Sequence, residues 1–255
     1  MAALLETQAL SMTFGGLRAV SNLNLSVEEG SLVGLIGPNG AGKTTVFNMI
    51  SGMVRPSEGS ILFAGEDTTR LPAHAVTRRG LARTFQNIRL FSDLTVLANV
   101  KIAHHKHVKY GFLKALSHVG IKEEEEEIAH SSMRLLEFLG LEDKADQVAG
   151  NLPYGEQRLL EIARALATKP RLLLLDEPAA GMNPNETVEL MELIRRIREE
   201  FSVTIFLIEH DMNLVMGICE YITVLDYGMT IAEGTPEEIR TNRRVIKAYL
   251  GEEAI

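Results

Sequence analysis

An α/β fold with a parallel sheet is predicted by three observations. Leu32 to Ile36 is a continuous apolar run that ends in a glycine-rich loop, and Thr44 to Ser51 after the loop reads as a helix. Arg171 to Leu175 (RLLLL) and Val203 to Ile208 (VTIFLI) are short, apolar and bounded by polar residues, as strands covered on both faces are. Between them Val188, Leu190, Met191, Leu193, Ile194 and Ile197 recur at helical spacing. Strand, helix and strand in that order imply parallel pairing through a right-handed crossover.

The first forty residues alternate short apolar runs with turn residues, and Gly59 to Gly65 encloses another short strand (SILFAG), so the front part mixes β with α. From Val96 to about Gly140 the pattern is helical, with five lysines and no acid between Lys101 and Lys122, then the acidic run Glu123 to Glu127. A helical lobe is therefore expected in one folding unit of 255 residues, and its bounds are set at about residues 71–151. Tyr221 to Leu225 reads as a strand, Asp226 to Gly228 as a turn, and short helices follow Pro236 and Arg243. No internal repeat stands out.

Hydrophobic content of 45% and charged content of 24% suit a globular chain with a sizeable core. A net charge of -8 and a pI near 5.5 argue against a surface whose bulk binds nucleic acid. Cys219 is the only cysteine, which excludes an internal disulfide and fits a reducing compartment. No apolar run approaches the ~20 residues that span a bilayer, and the first residues do not read as a signal peptide. A cytoplasmic location is expected, with any membrane role passing through a partner.

Gly37 to Thr44, GPNGAGKT, fits the P-loop pattern, with a strand before it and a helix after it. Gly37, Gly40 and Gly42 let backbone N–H groups approach phosphates, Lys43 reaches the β- and γ-phosphates and Thr44 ligates Mg²⁺, all at a helix N-terminus. Pro38, Asn39, Ala41 and Thr45 complete the expected nucleotide-binding segment. LLLLDEP places Asp176 and Glu177 at the C-terminal end of a buried strand, where parallel sheets put ligands. Asp176 is expected to hold Mg²⁺ through its water shell and Glu177 to polarise the attacking water. Taken alone, the pair also reads as two solvated acids closing a strand.

Further segments in order make the chain resemble the ABC ATPases over nearly its whole length. RTFQ supplies Gln86, which by that resemblance touches Mg²⁺ and water and links the site to the membrane subunit. LPYGEQRLLEIARAL resembles the family's signature segment, with Leu152 to Glu156 where the family has LSGGQ, so Gly155 and Glu156 are expected to face nucleotide held by an opposing subunit. His210 of IEHD matches the histidine that contacts the γ-phosphate, and Phe14 stands where an aromatic stacks on adenine. Two positions depart from the pattern: Pro153 replaces the signature serine, and Asn183 stands where an aspartate is usual. The resemblance implies a P-loop core of ABC ATPase type with antiparallel β and helical subdomains. ATP and Mg²⁺ are the implied cofactors.

RTFQNIRLFSDLTVLANV, EPAAGMNP, IEHDMNLVMGICEYITVLDYG and GTPEEIRTNRRVIKAYLGE look like the ATPases of branched-chain amino-acid importers. ATPases for urea or short-amide import and for lipopolysaccharide export share much of this wording. The implied partners are transmembrane permease subunits, a second ABC ATPase subunit (identical or related) and, indirectly, a periplasmic or extracellular binding protein, at the cytoplasmic face of a membrane. A soluble ABC protein acting on DNA or ribosomes usually carries two cassettes or a coiled-coil insert, and neither is present. A module that holds ATP without turnover is disfavoured by Glu177 and His210. His104, His105 and His107, with Lys101, Lys106 and Lys109, lack a closed metal-ligand set and read as a solvated helical face, and Glu123 to Glu127 as a solvated helix start.

Overall fold

The computed structural model describes residues 3–104 and 121–250. It comprises two units, Met1–Arg83 with Arg171–Ile255, and Thr84–Pro170. The first opens with a long antiparallel hairpin, β1 (Ala3–Phe14) and β2 (Leu17–Glu28), paired from Ala3 opposite Glu28 to Phe14 opposite Leu17. Then come β3 (Leu32–Ile36), α1 (Lys43–Ile50), β4 (Glu58–Phe63), β5 (Glu66–Asp67), α2 (Ala73–Arg78) and β6 (Leu81–Arg83).

The chain next builds the second unit from α3 (Val96–His104), α4 (Ile121–Phe138) and α5 (Tyr154–Ala167), which pack pairwise. It returns to the first unit as β7 (Leu172–Asp176), α6 (Pro184–Phe201), β8 (Thr204–Ile208), α7 (Met212–Ile218), β9 (Tyr221–Asp226), β10 (Met229–Gly234), α8 (Pro236–Thr241) and α9 (Arg243–Leu250).

Two sheets form the first unit. One is antiparallel, in the order β2-β1-β4-β5; the other runs β10-β9-β3-β8-β7-β6, parallel except where β10 pairs with β9. Every residue of β3, β7 and β8 is buried, which is why these strands read as continuous apolar runs and not as alternation. Gly34 interrupts β3 for a steric reason: a Cβ there would lie 3.0 Å from Sγ of buried Cys219. Val46, Phe47 and Ile50 of α1 pack into one core with Leu5, Phe63 and Phe206, and the rings of Phe47 and Phe206 are 5.0 Å apart. Truncating a ring as buried as Phe47 costs about 3–5 kcal/mol.

The second unit runs over 84–170, whereas the helical lobe is expected at about 71–151. α2 and β6 fall to the first unit because β6 pairs with β7, and α5 falls to the second because it packs on α3 and α4. Buried Asn99 ties the loop before α3: its side chain accepts from Phe91 N–H at 3.0 Å and donates to the Phe91 and Thr95 carbonyls, each at 3.0 Å. His104 is a correction to the expected solvated face, since it is only 5% exposed at the end of α3. His105, Lys106, His107 and Lys109 lie outside the described residues. Glu123 and Glu125 to Glu127 are exposed in the first turns of α4, where acids favour the helix dipole.

Candidate active site

The strand order brings three chain segments to one edge of the parallel sheet. β3 runs into the glycine loop, β8 beside it runs into Glu209 and His210, and β7 beside that runs into Asp176 and Glu177.

Gly37 has φ +152°, and a Cβ there would stand 2.1 Å from the Leu225 carbonyl oxygen. Gly42, the N-cap of α1, has φ +101°, and a Cβ would stand 2.5 Å from the Ala19 carbonyl oxygen. Both ends of the loop are thus held against backbone, which only glycine permits. Asn39 and Gly40 at the crest are exposed, Pro38 is half-buried and Ala41 is buried. Thr44 is exposed on the first turn of α1, with Thr45 half-buried behind it.

Lys43 is 6% exposed, and its Nζ donates to the carbonyls of Gly37 at 2.8 Å and Pro38 at 3.0 Å. Burial lowers its pKa, and the carboxylates of Glu177 and Asp176 act in the opposite direction. The ammonium therefore lies within the field of both acids while its loop carbonyls fix its position.

Asp176 is 2% exposed, and its Oδ2 accepts from Arg83 Nη2 at 2.8 Å. Glu177 adopts the left-handed conformation, φ +48°, unusual for a residue with a side chain, and its N–H donates to the Ile208 carbonyl at 2.9 Å. That bond ties the end of β7 to the end of β8. His210 is largely exposed, with Nδ1 3.8 Å from Glu177 Oε2 and 3.7 Å from Glu209 Oε2.

Two residues here escape a reading of the sequence. Glu209 is fully buried and accepts backbone N–H bonds from Ala179 at 2.8 Å, His210 at 2.9 Å and Asp211 at 3.3 Å, so one carboxylate fixes the turns that carry Glu177 and His210. Burial pushes its pKa up, and the three N–H donors act against that. Arg83 sits three residues before Gln86 in RTFQ, and its partner Asp176 is 93 residues away, a distance no local pattern reports.

Phe14 ends β1 at the hairpin turn with 47% of its surface exposed. Gln86, Gly155 and Glu156 belong to the second unit. There Gln86 is exposed, and its carbonyl accepts from Arg158 Nη2 at 2.6 Å. Gly155 is exposed in the first turn of α5 with no atom within 4 Å of a built Cβ, and Glu156 pairs with Lys144. Pro153 is the N-cap residue of α5, with extended ψ of 152°, so the helix begins after it undisturbed. Asn183 caps α6: its side chain accepts from Asn185 and Glu186 N–H at 2.9 and 3.1 Å, and Glu186 returns a bond to its N–H.

A glycine loop between a buried strand and a helix, a buried lysine inside it, and adjacent carboxylates two strands away define a P-loop nucleoside-triphosphate hydrolase. Comparison with known proteins narrows the class. The family model described as ABC transporter matches residues 20–180, and one described as branched-chain amino acid ATP-binding cassette transporter matches residues 229–255. The chain belongs to the ABC transporter family, as an ATPase of that family. It is 50% identical to the high-affinity branched-chain amino acid transport ATP-binding protein BraF of Pseudomonas aeruginosa and 48% identical to LivG of Escherichia coli, over 98% of each chain. The crystal structure of the ADP conformation of MJ1267, an ATP-binding cassette of an ABC transporter, superposes with a TM-score of 0.85 at 30% identity, covering 99% of this chain and all of that one.

Proposed function

We propose that this chain hydrolyses ATP to drive import of branched-chain amino acids, working on transmembrane permease subunits at the cytoplasmic face of a membrane, with a second ATPase subunit and a separate substrate-binding protein. The observation that carries the reading is identity of 48–50% across nearly the full chain to two high-affinity branched-chain amino acid transport ATP-binding proteins, together with the family match at the C-terminal end. No described helix is long and apolar enough to cross a membrane.

Lys43 and the loop N–H groups bind the β- and γ-phosphates, and Phe14 stacks on adenine. Mg²⁺ fits the donors on hand, because the Thr44 hydroxyl and the Asp176 carboxylate are oxygen ligands, which this cation prefers while keeping waters and phosphate oxygens. When bound, it neutralises charge developing on the phosphates. Glu177 polarises the attacking water, His210 donates to the γ-phosphate, and Gln86 reports on the occupied site. Catalysis is then mostly positioning and electrostatics, as in other phosphoryl transfers. Gly155 and Glu156 face the nucleotide of an opposing subunit, where the N-terminus of α5 offers N–H groups to phosphate. Pro153 has no hydroxyl, which leaves that contact to backbone.

Uptake of labelled leucine by cells lacking this chain tests the reading. Restoration by the wild-type chain and not by Glu177→Gln supports it, and unaltered leucine uptake in the deletion strain refutes the assigned cargo.

A further inference from the structure

The buried ion pair at the end of β7 carries a role beyond the phosphate-binding machinery. Arg83 and Asp176 are 5% and 3% exposed at their side chains and meet at 2.8 Å. The guanidinium is fixed from its other side by α1: Nη1 donates to Asn48 Oδ1 at 2.8 Å and to Ser51 Oγ at 3.0 Å, and Cζ lies 5.6 Å from the centre of the Phe47 ring. One side chain thus joins the helix that begins at Lys43 to the strand end that carries Asp176. Three acceptors in a fixed fork suit arginine, since a lysine ammonium has no planar geometry to match them.

Two cations, Arg83 and Lys43, stand among two carboxylates, Asp176 and Glu177, and Lys43 feels both acids. Among the described residues no group of three or more His, Cys, Asp or Glu side chains is arranged to hold a metal ion. A divalent cation approaching without nucleotide meets one buried carboxylate already paired with a guanidinium, and a positive charge a few ångströms away opposes it strongly where water is excluded.

We propose that Arg83 is a positioning residue that serves as the resident counter-charge of Asp176, keeping divalent cations out of the site until nucleotide phosphates bring the remaining oxygen ligands. The proposal rests on the reading above that Asp176 faces Mg²⁺. It makes metal binding conditional on nucleotide, and it holds the Asp176 carboxylate in one orientation while the site waits.

The test is binding of Mn²⁺, followed by electron paramagnetic resonance, to the purified full chain with and without ADP. Arg83→Gln removes the charge and keeps a polar side chain that can bond Asn48 and Ser51, while Arg83→Lys keeps the charge. The expected result is that nucleotide-free wild type and Arg83→Lys bind Mn²⁺ at least about tenfold more weakly than Arg83→Gln, a low bound for one nearby unit charge. The gain should vanish in Arg83→Gln combined with Asp176→Asn. A folded Arg83→Gln chain, by circular dichroism, with wild-type Mn²⁺ affinity overturns the proposal. So does Mn²⁺ binding by nucleotide-free wild type that is as tight as in the presence of ADP and is lost in Asp176→Asn, a result that needs no Arg83 variant. If Asp176→Asn leaves Mn²⁺ binding in the presence of ADP unchanged, the assignment of Asp176 to the metal is what fails.

Discussion

Glu177 stands in a conformation that its side chain disfavours, and a pair of substitutions isolates the cost. A non-glycine residue in the left-handed region, here φ +48°, carries about 1–2 kcal/mol of steric penalty. The residue cannot relax freely, because its N–H is bonded to the Ile208 carbonyl at 2.9 Å. Glu177→Ala and Glu177→Gly both delete the carboxylate, but alanine retains the penalty and glycine escapes it. The extra freedom of glycine in the unfolded chain offsets about 0.4–1 kcal/mol of that gain. The glycine variant should therefore exceed the alanine variant by about 0.8 kcal/mol at the midpoints of those two ranges, the reverse of their order inside a helix. In a chain of this size that is about 1–4 °C in the unfolding temperature. Calorimetry of the two nucleotide-free variants reads the difference. An alanine variant that melts at or above the glycine variant would show that the backbone at Glu177 is not strained.

Glu209 gives a prediction in pH. Its carboxyl pKa is raised above the usual 4.5 by burial, so through the window above that value the native state binds more protons than the unfolded state. Its contribution to stability is present at the acid end and falls as pH rises through that window. Glu209→Gln should flatten the dependence of melting temperature on pH there, and parallel curves for the two proteins refute the assignment. Gly155→Asp tests the composite site: no atom lies within 4 Å of a Cβ at Gly155, so the substitution is expected to leave the isolated subunit folded. In a Glu177→Gln background sized with ATP, it should abolish the dimer by placing a carboxylate against phosphate, and a dimer that persists removes the signature role from this segment.

The parallel core was legible because buried strands leave a composition signal. LVGLI, LLLLD and TIFLI are wholly buried, and their apolar residues follow one another without alternation, broken only by Gly34, the Thr204 that opens TIFLI and the Asp176 that ends LLLLD. The loop from Gly37 to Gly42 was legible because its two end glycines, required by backbone approaches at Leu225 and Ala19, stand at the P-loop spacing. The strand order was not, since the insertion of β8 between β3 and β7 is a long-range pairing that no local period encodes. Arg83 was hidden for the same reason, its partner being remote in sequence. Glu209 beside His210 carries no signal, because a buried acid held by three backbone N–H groups looks, in sequence, like any acid at a strand end. His104 shows the converse error: its neighbours suggested a wet face, and packing at the end of α3 buried it. Asn183 caps α6 and completes a capping box, a role that the usual aspartate fills equally well, so the local fold does not register the departure.

The central claim is that Glu177 polarises the water that attacks ATP bound by the Gly37–Thr44 loop. Steady-state ATP turnover and equilibrium ATP binding by Glu177→Gln beside the wild-type chain test it most directly. Removal of a general base predicts turnover lower by about 10²–10⁴-fold with ATP still bound. Turnover close to that of the wild type in a variant that binds ATP normally would contradict it.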